Sequence, residues 1–191
     1  MPKPTKAEIN ADILDCAAAL FARHGFEQTS LQQIADAVNY SKAGLLHHFP
    51  SKLAIYAAAI DLLRTHMQGV RTRMQALPMG PARDLANVQE AIQFTYDRPG
   101  VSAFASRIAE GEPDGDPELV EIGMILYDAL GVDLTKFDAE RIVRVTGAFT
   151  GLSAAAMVAI RADMKREWRG HIVRTAMDAL GHDRKSWDSG Q

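Results

Sequence analysis

The sequence of 191 residues lacks the marks of several protein classes. It contains a single cysteine, Cys16, which excludes an internal disulfide framework and suits a reducing cytosol. Its formal net charge is -3, so the overall charge does not indicate a nucleic-acid partner. The N-terminus has no apolar signal-peptide core, and the longest apolar run, residues 147–160, is too short to span a bilayer. These absences predict a cytoplasmic protein with no membrane partner.

Strand-like alternation of apolar and polar residues is also missing, whereas helical spacing recurs along most of the chain. Ser30 and Gln33 form a capping box that starts a second helix after the first. Asn39 tolerates positive φ and can end that helix. Ser41 then caps a short third helix, and Ser51 caps a long fourth helix. The pattern predicts an all-α protein with three short helices before a larger helical body.

The helical body shows clear breaks between its predicted elements. Apolar spacing beyond the fourth helix predicts helices over residues 82–96, 101–109, 117–130, 138–162 and 165–180. Gly181 is the expected stop of the last helix. The remaining residues, 182–191, are predicted to form a mobile polar tail.

The second and third helices, with the tight turn between them, have the layout of a helix-turn-helix motif. In that motif the second helix of the pair lies in the major groove of DNA. No acidic residue occurs between Asp36 and Asp61, which suits a surface facing phosphates. The same stretch contains the basic or titratable residues Lys42, His47, His48 and Lys52. The turn alone leaves a second interpretation open, a helical hairpin with a solvated polar face.

The stretch "ILDCAAALFARHGFEQTSLQQIADAVNYSKAGLLHHFPSK" resembles the N-terminal domain of TetR/AcrR bacterial transcriptional regulators. The shared features are "LFxxxGF", "TS…IA", "SK" and "HHFPSK", and the likeness covers about residues 9–52. It implies a three-helix helix-turn-helix DNA-binding domain at residues 1–51. It also implies a larger helical ligand-binding and dimerisation domain at residues 52–191.

The resemblance implies a set of DNA-contacting residues for a palindromic double-stranded operator. They are Thr29, Ser30, Gln32, Ser41, Lys42, Ala43, Gly44, Leu46, His47, His48 and Lys52. Three positions depart from the family pattern. Asn39 replaces a turn glycine, Leu46 stands where a phosphate-contacting tyrosine is usual, and Gly44 weakens the helix by about 1 kcal/mol relative to alanine.

Two helices near the C-terminus are expected to form a homodimer, because one reader domain makes few contacts. A ribbon of small residues recurs every four positions at Gly147, Gly151, Ala155 and Ala159. The last helix has an apolar stripe that includes Trp168, Ile172, Ala176 and Met177. The resemblance implies a four-helix bundle between subunits, and packing of the ribbon inside one subunit is the alternative.

A cavity for a hydrophobic or aromatic small-molecule effector is expected among the middle helices from the family layout. The candidate lining residues are Met67, Gln93, Phe94, Phe104, Arg107, Met124, Tyr127, Phe149 and Thr150. Methionines and aromatics at helical spacing also suit an ordinary core. Effector binding is expected to shift the dimer away from its DNA-competent form, with the fourth helix as the lever.

No catalytic, metal-binding or cofactor site is predicted. His47 and His48 are adjacent and do not share a helix face, as a metal-binding pair would. The segment "GLSAA" lies within a predicted helix, unlike a serine elbow. Cys16 suits packing rather than nucleophilic chemistry. The expected function is a DNA-binding repressor released by an effector; a ligand-independent DNA-binding regulator and a helical protein-interaction module remain alternatives.

Overall fold

The computed structural model describes residues 4–109, 117–136 and 138–187, and these residues form helices and no strands. The N-terminal helices are α1 (Lys6–His24), α2 (Leu31–Ala37) and α3 (Lys42–His48). The body comprises α4 (Lys52–Gln75), α5 (Pro81–Asp97), α6 (Pro99–Ala109), α7 (Pro117–Ala129), α8 (Ala139–Arg161) and α9 (Lys165–Ala179), followed by a 3₁₀ turn (Arg184–Ser186). The all-α prediction is confirmed.

The short N-terminal helices begin and end where the sequence predicts. Ser30 and Gln33 form a reciprocal capping box at the start of α2. Asn39 takes a φ of 57° in the turn, which asparagine tolerates better than most side chains. The Ser41 hydroxyl accepts from the Gly44 N–H at 3.0 Å and caps α3. Helix α6 begins earlier than predicted, at Pro99, because proline fits a first helical turn.

One core cluster joins the three N-terminal helices to α4 and α6. Phe21 of α1 lies at its centre and contacts the rings of Phe26, Tyr56 and Phe104 at centroid distances of 5.8, 5.4 and 6.4 Å. Ile55 and Leu63 extend the same cluster along α4. The three N-terminal helices therefore share their hydrophobic core with α4 and α6 of the body.

A second core cluster lies among α5, α8 and α9, and the C-terminal segment closes it. Asp84 of α5 is 2% exposed and receives two hydrogen bonds from Arg141 Nη2, at 2.9 and 2.7 Å. His182 Nε2 lies 2.7 Å from Asp84 Oδ2, and Trp187 packs half-buried on the cluster. The prediction of a mobile tail is thus wrong for residues 182–187. Their sequence is polar, but His182 contacts the buried Asp84 carboxylate and Trp187 packs on the core. Residues 188–191 lie outside the described part.

Helix α8 has enough length and apolar character to cross a membrane. The predicted run of residues 147–160 is only its middle, since the helix has 23 residues. One face is buried against α5 and α9, through Val145, Ala148, Leu152, Ala156 and Ala159. Packing in the core therefore accounts for the apolar residues on this face, whereas Val143 and Val158 on the other side of α8 are exposed.

Candidate nucleic-acid interface and effector cavity

Helix α3 presents four side chains outward and buries the rest of its length against the domain. Leu45 is fully buried and Phe49, just after the helix, is 9% exposed. These anchors fix the rotation of the helix, so that its exposed side chains are those of Lys42, Ala43, Leu46 and His47. Ser30, Gln32 and Ser41 are also exposed. The structure thus brings seven of the eleven predicted DNA-contacting residues to the surface.

Three other predicted DNA-contacting residues form hydrogen bonds within the domain, and His48 and Lys52 among them are half-buried. Thr29 is buried, and its hydroxyl donates to the Gly25 carbonyl at 2.8 Å. His48 Nδ1 lies 2.8 Å from Asn10 Oδ1, which ties α3 to α1. Lys52 Nζ donates to the Phe26 carbonyl at 2.8 Å. The His48 bond positions α3, whereas the Thr29 and Lys52 bonds hold the segment between α1 and α2.

Gly44 faces the turn rather than the solvent in front of α3. A Cβ built there would lie 3.2 Å from Ser41 Oγ and 3.3 Å from Tyr40 Cδ1. The Tyr40 ring in turn meets the His48 ring edge-on, with centroids 5.5 Å apart. The missing side chain therefore makes room for Tyr40 and lets the turn close tightly on the helix.

The outward surface of α3 has no competing carboxylate of its own. The nearest acidic residue in the sequence, Asp36 on α2, accepts a hydrogen bond of 2.7 Å from Gln32 Nε2. From residue 37 to residue 60 the chain has neither aspartate nor glutamate. Lys42 and His47 therefore face solvent on a surface suited to a polyanion.

A cavity of about 400 Å³ lies among helices α4 to α8. Six predicted effector-binding residues line it: Met67, Phe94, Met124, Tyr127, Phe149 and Thr150. Most of the polar groups that line it were not predicted from the sequence: His66, Asn87, Glu90, Thr95, Ser102, Ser106, Thr146 and Ser153. His66 could have been found, because it shares a helical face with Leu63, Met67 and Val70.

The other three predicted effector-binding residues do not line this cavity. Gln93 lies outside the cavity, and its amide bonds to Asp97 and Arg169. Phe104 is on the opposite side of α6, in the aromatic cluster of Phe21. Arg107 Nη1 donates to the Ala22 carbonyl at 2.8 Å and so ties α6 to α1.

The cavity contains an aromatic stack beside a buried polar pair. The His66 ring lies on the Phe94 ring with a centroid distance of 3.8 Å and an interplanar angle of 15°. Burial lowers the pKa of His66, which outweighs the raising effect of Glu90. The hydroxyl oxygens of Thr95 and Ser102 lie 2.8 Å apart and satisfy each other. The lining is mostly apolar, with a few polar groups, as in sites for largely apolar small molecules.

The predicted dimer ribbon divides between two environments. Gly147 and Gly151 are exposed and Ala155 is half-buried, whereas Ala159 is fully buried in the subunit's own core. A spacing of four residues advances about 40° beyond a full helical turn at each step, so the ribbon winds around α8. Ala159 is therefore corrected to a core residue.

The predicted dimer residues of α9 also face inward. Ile172, Ala176 and Met177 are at most 5% exposed and belong to the core cluster of α8 and α9. Trp168 is half-buried against the same cluster. The apolar stripe of α9 is thus corrected to intramolecular packing, as expected for the inner face of an amphipathic helix.

A different strip of α8 faces solvent and consists of small or apolar residues. It contains Val143, Gly147, Gly151, Ala154 and Val158, which are all exposed. A Cβ added at Gly147 or Gly151 would meet nothing within 4 Å. We call this set the α8 strip.

Among the described residues, no three His, Cys, Asp or Glu side chains are grouped to hold a metal ion. Cys16 is half-buried, and burial with the nearby charge of Asp15 raises the pKa of its thiol. A raised thiol pKa disfavours the reactive thiolate.

Comparison with known proteins places the reader helices in one family. The family model of bacterial regulatory proteins, TetR family, matches residues 13–59, which run from α1 into α4. This segment is a TetR-family DNA-binding domain. The biofilm operon icaADBC negative transcriptional regulator IcaR of Staphylococcus aureus strain Newman is 44% identical over 58 residues. That alignment covers 30% of this chain and 31% of IcaR.

A longer likeness extends from the TetR-family domain into the helical body. The transcriptional regulator RutR of Escherichia coli O157:H7 is 46% identical over 138 residues, 71% of this chain and 59% of RutR. The chain thus spans less than two thirds of these curated relatives. The crystal structure of Mycobacterium smegmatis AmtR has a TM-score of 0.52 at 20% identity, covering 96% of this chain and 89% of AmtR. This structural likeness extends the fold comparison to the helical body.

Proposed function

We propose that this TetR-family protein is a cytoplasmic transcriptional repressor that binds a palindromic operator as a homodimer. The outward face of α3 is the observation that carries the proposal. It presents Lys42 and His47 on a helix whose rotation is fixed by Leu45 and Phe49, and no carboxylate of that helix opposes a phosphate. The name of IcaR, a negative transcriptional regulator, supports repression as the direction of control.

Dimerisation through the α8 strip supplies a second DNA-binding domain, with its own α3. The strip leaves room for close helix approach, since Gly147 and Gly151 have open space where a side chain would stand. Two copies packed on this strip around a two-fold axis would present two α3 helices to one face of the DNA. Half-sites would then be about 34 Å apart, one turn of the duplex.

The cavity is the proposed effector site, and α6 is the proposed link from it to the reader helices. Ser102, Ala105 and Ser106 of α6 line the cavity. The other side of α6 packs on α1, where the Val101 N–H donates to Asp15 Oδ1 at 2.9 Å. An effector that moves α6 therefore acts directly on α1.

Helix α4 is a second connection between the cavity and the N-terminal helices, and the sequence also predicts that it transmits the effect of the ligand. It lines the cavity with His66 and Met67, and it begins at Lys52, which bonds to the Phe26 carbonyl. Movement along either helix could change the separation of the two α3 helices. A coupling of about 1–3 kcal/mol would weaken DNA binding by about 5- to 150-fold.

Selection of bound fragments from genomic DNA tests the proposal. The expected result is a short palindrome with half-sites about one helical turn apart. Affinity for that palindrome should fall steeply with salt concentration, because phosphate contacts release counterions. Failure to enrich any sequence, together with a flat salt response, would favour the protein-interaction module.

A further inference from the structure

Half of the outward face of α3 has no group that can make a hydrogen bond. Of its four exposed side chains, Lys42 and His47 are polar, whereas Ala43 and Leu46 are wholly apolar. Leu46 is 38% exposed, although its neighbour Leu45 is fully buried. Leu46 is therefore not part of the domain core, and its side chain is available to contact what α3 meets.

Ala43 and Leu46 form one continuous apolar patch. Residues three apart on a helix lie beside each other on its surface. Lys42 borders the patch on one side, four residues before Leu46, and His47 borders it on the other, four residues after Ala43. The patch thus lies in the middle of the exposed face, between two groups that can bind phosphate or base edges.

The chemistry of the major groove limits what this patch can recognise. Base edges there present hydrogen-bond donors and acceptors, and the one apolar group is the C5-methyl of thymine. Placing Leu46 against a donor or acceptor would remove that group from water without a replacement bond. A thymine methyl carries no such cost and gains apolar contact.

We propose that the Ala43–Leu46 patch reads a thymine methyl group in each operator half-site, which makes Leu46 a specificity-determining residue. The inference rests on the proposed function, because it requires α3 to enter the major groove. It also explains why an apolar side chain occupies the middle of a surface that otherwise suits a polyanion.

Replacement of thymine by uracil in the selected operator tests the inference, since uracil lacks only the methyl group. Each thymine of a half-site is replaced in turn by deoxyuridine on synthetic duplexes, and affinity is measured by fluorescence anisotropy. At one or two positions we expect a loss of about 3- to 5-fold, which corresponds to one buried methyl group. The variant Leu46→Ala should bring that thymine-to-uracil ratio close to one.

Leu53→Ala is the matched control, because Leu53 is 64% exposed and lies on α4, outside the patch. Its thymine-to-uracil ratio should equal that of the parent protein. The ratio compares two DNA ligands with the same protein sample, so partial loss of folding does not alter it. Circular dichroism of each variant verifies the helical content.

The outcomes separate the inference from the function on which it rests. If a palindrome is selected but every uracil substitution is neutral, the thymine proposal is wrong while DNA binding stands. A uracil effect that survives unchanged in Leu46→Ala would also overturn it. If no DNA is selected at all, the proposed function itself fails. A uracil effect lost in Leu46→Ala and kept in Leu53→Ala supports the inference.

Discussion

Asp15 of α1 caps α6, because its Oδ1 accepts a hydrogen bond of 2.9 Å from the Val101 backbone N–H. The two helices are also closely apposed at this point. A Cβ built on Gly100 would lie 1.9 Å from the Asp15 carbonyl oxygen, so only glycine fits there. Helix α1 of the N-terminal domain and helix α6 of the cavity wall are therefore joined by a side-chain cap and by direct backbone contact.

Replacement of Asp15 by alanine should destabilise the protein, and replacement by asparagine should destabilise it less. Asp15→Ala leaves the Val101 N–H without its acceptor, at a cost of about 1–3 kcal/mol in the free energy of unfolding. Asp15→Asn keeps an oxygen in place and should cost clearly less. Urea unfolding monitored by circular dichroism gives both values. Equal losses in the two variants would show that the charge, not the hydrogen bond, is what matters.

Both variants should also lack one pH dependence that the parent protein has, because neither alanine nor asparagine can titrate. Burial raises the pKa of Asp15 above its ordinary value, despite the opposing hydrogen bonds from Val101 and Gly100. The folded state then binds the proton more tightly than the unfolded state. Stability from this group is present below the unfolded pKa and is lost as pH rises through the folded pKa. Asp15→Asn should remove this loss, and an unchanged profile would contradict the assignment.

A charge on the α8 strip should prevent dimerisation without harming the subunit. Gly151→Glu places a carboxylate where nothing of the same subunit lies within 4 Å, so only a second copy would meet it. Sedimentation velocity should show a monomer with native helical content. Thr72→Glu, on the exposed side of α4, is the control and should remain dimeric. A Gly151→Glu protein that still dimerises would show that the interface lies elsewhere.

His66 should make the protein less stable in mild acid. Its pKa is lowered by burial, so the unfolded state binds the proton more readily than the folded state. The stability contribution is complete above the unfolded pKa, near ~6.5, and is lost as pH falls through the folded pKa. His66→Phe keeps a ring on Phe94 and should flatten the decline in melting temperature between about pH 7 and pH 5. A decline as steep as that of the parent would contradict this role.

The local features that the sequence predicts well are those encoded by neighbouring residues. Ser30 with Gln33, Asn39 and Ser41 set helix ends through short-range bonds, and each behaves as expected. The apolar pattern likewise predicts the all-α fold. Family likeness adds the position of the reader, because its motifs are continuous in the chain.

Features that depend on distant partners could not be predicted in the same way. His48 bonds to Asn10, and Lys52 bonds to Phe26, so both turn inward although their sequence suggests exposure. Periodicity also does not reveal which side of α8 meets the core, so a ribbon defined by spacing alone includes the buried Ala159. The cap of α6 by Asp15 joins residues 86 positions apart and has no signature in the sequence.

Operator affinity of a Lys42→Ala/His47→Ala variant is the most direct test of the outward α3 face as the DNA-reading surface. Both side chains are exposed and lie outside the core, so the melting temperature should change little. Loss of two DNA contacts should weaken operator binding by about 30-fold or more and reduce its salt dependence. Lys136→Ala, which removes a lysine far along the chain, should bind as the parent does. Unchanged affinity in the double variant would contradict the central assignment.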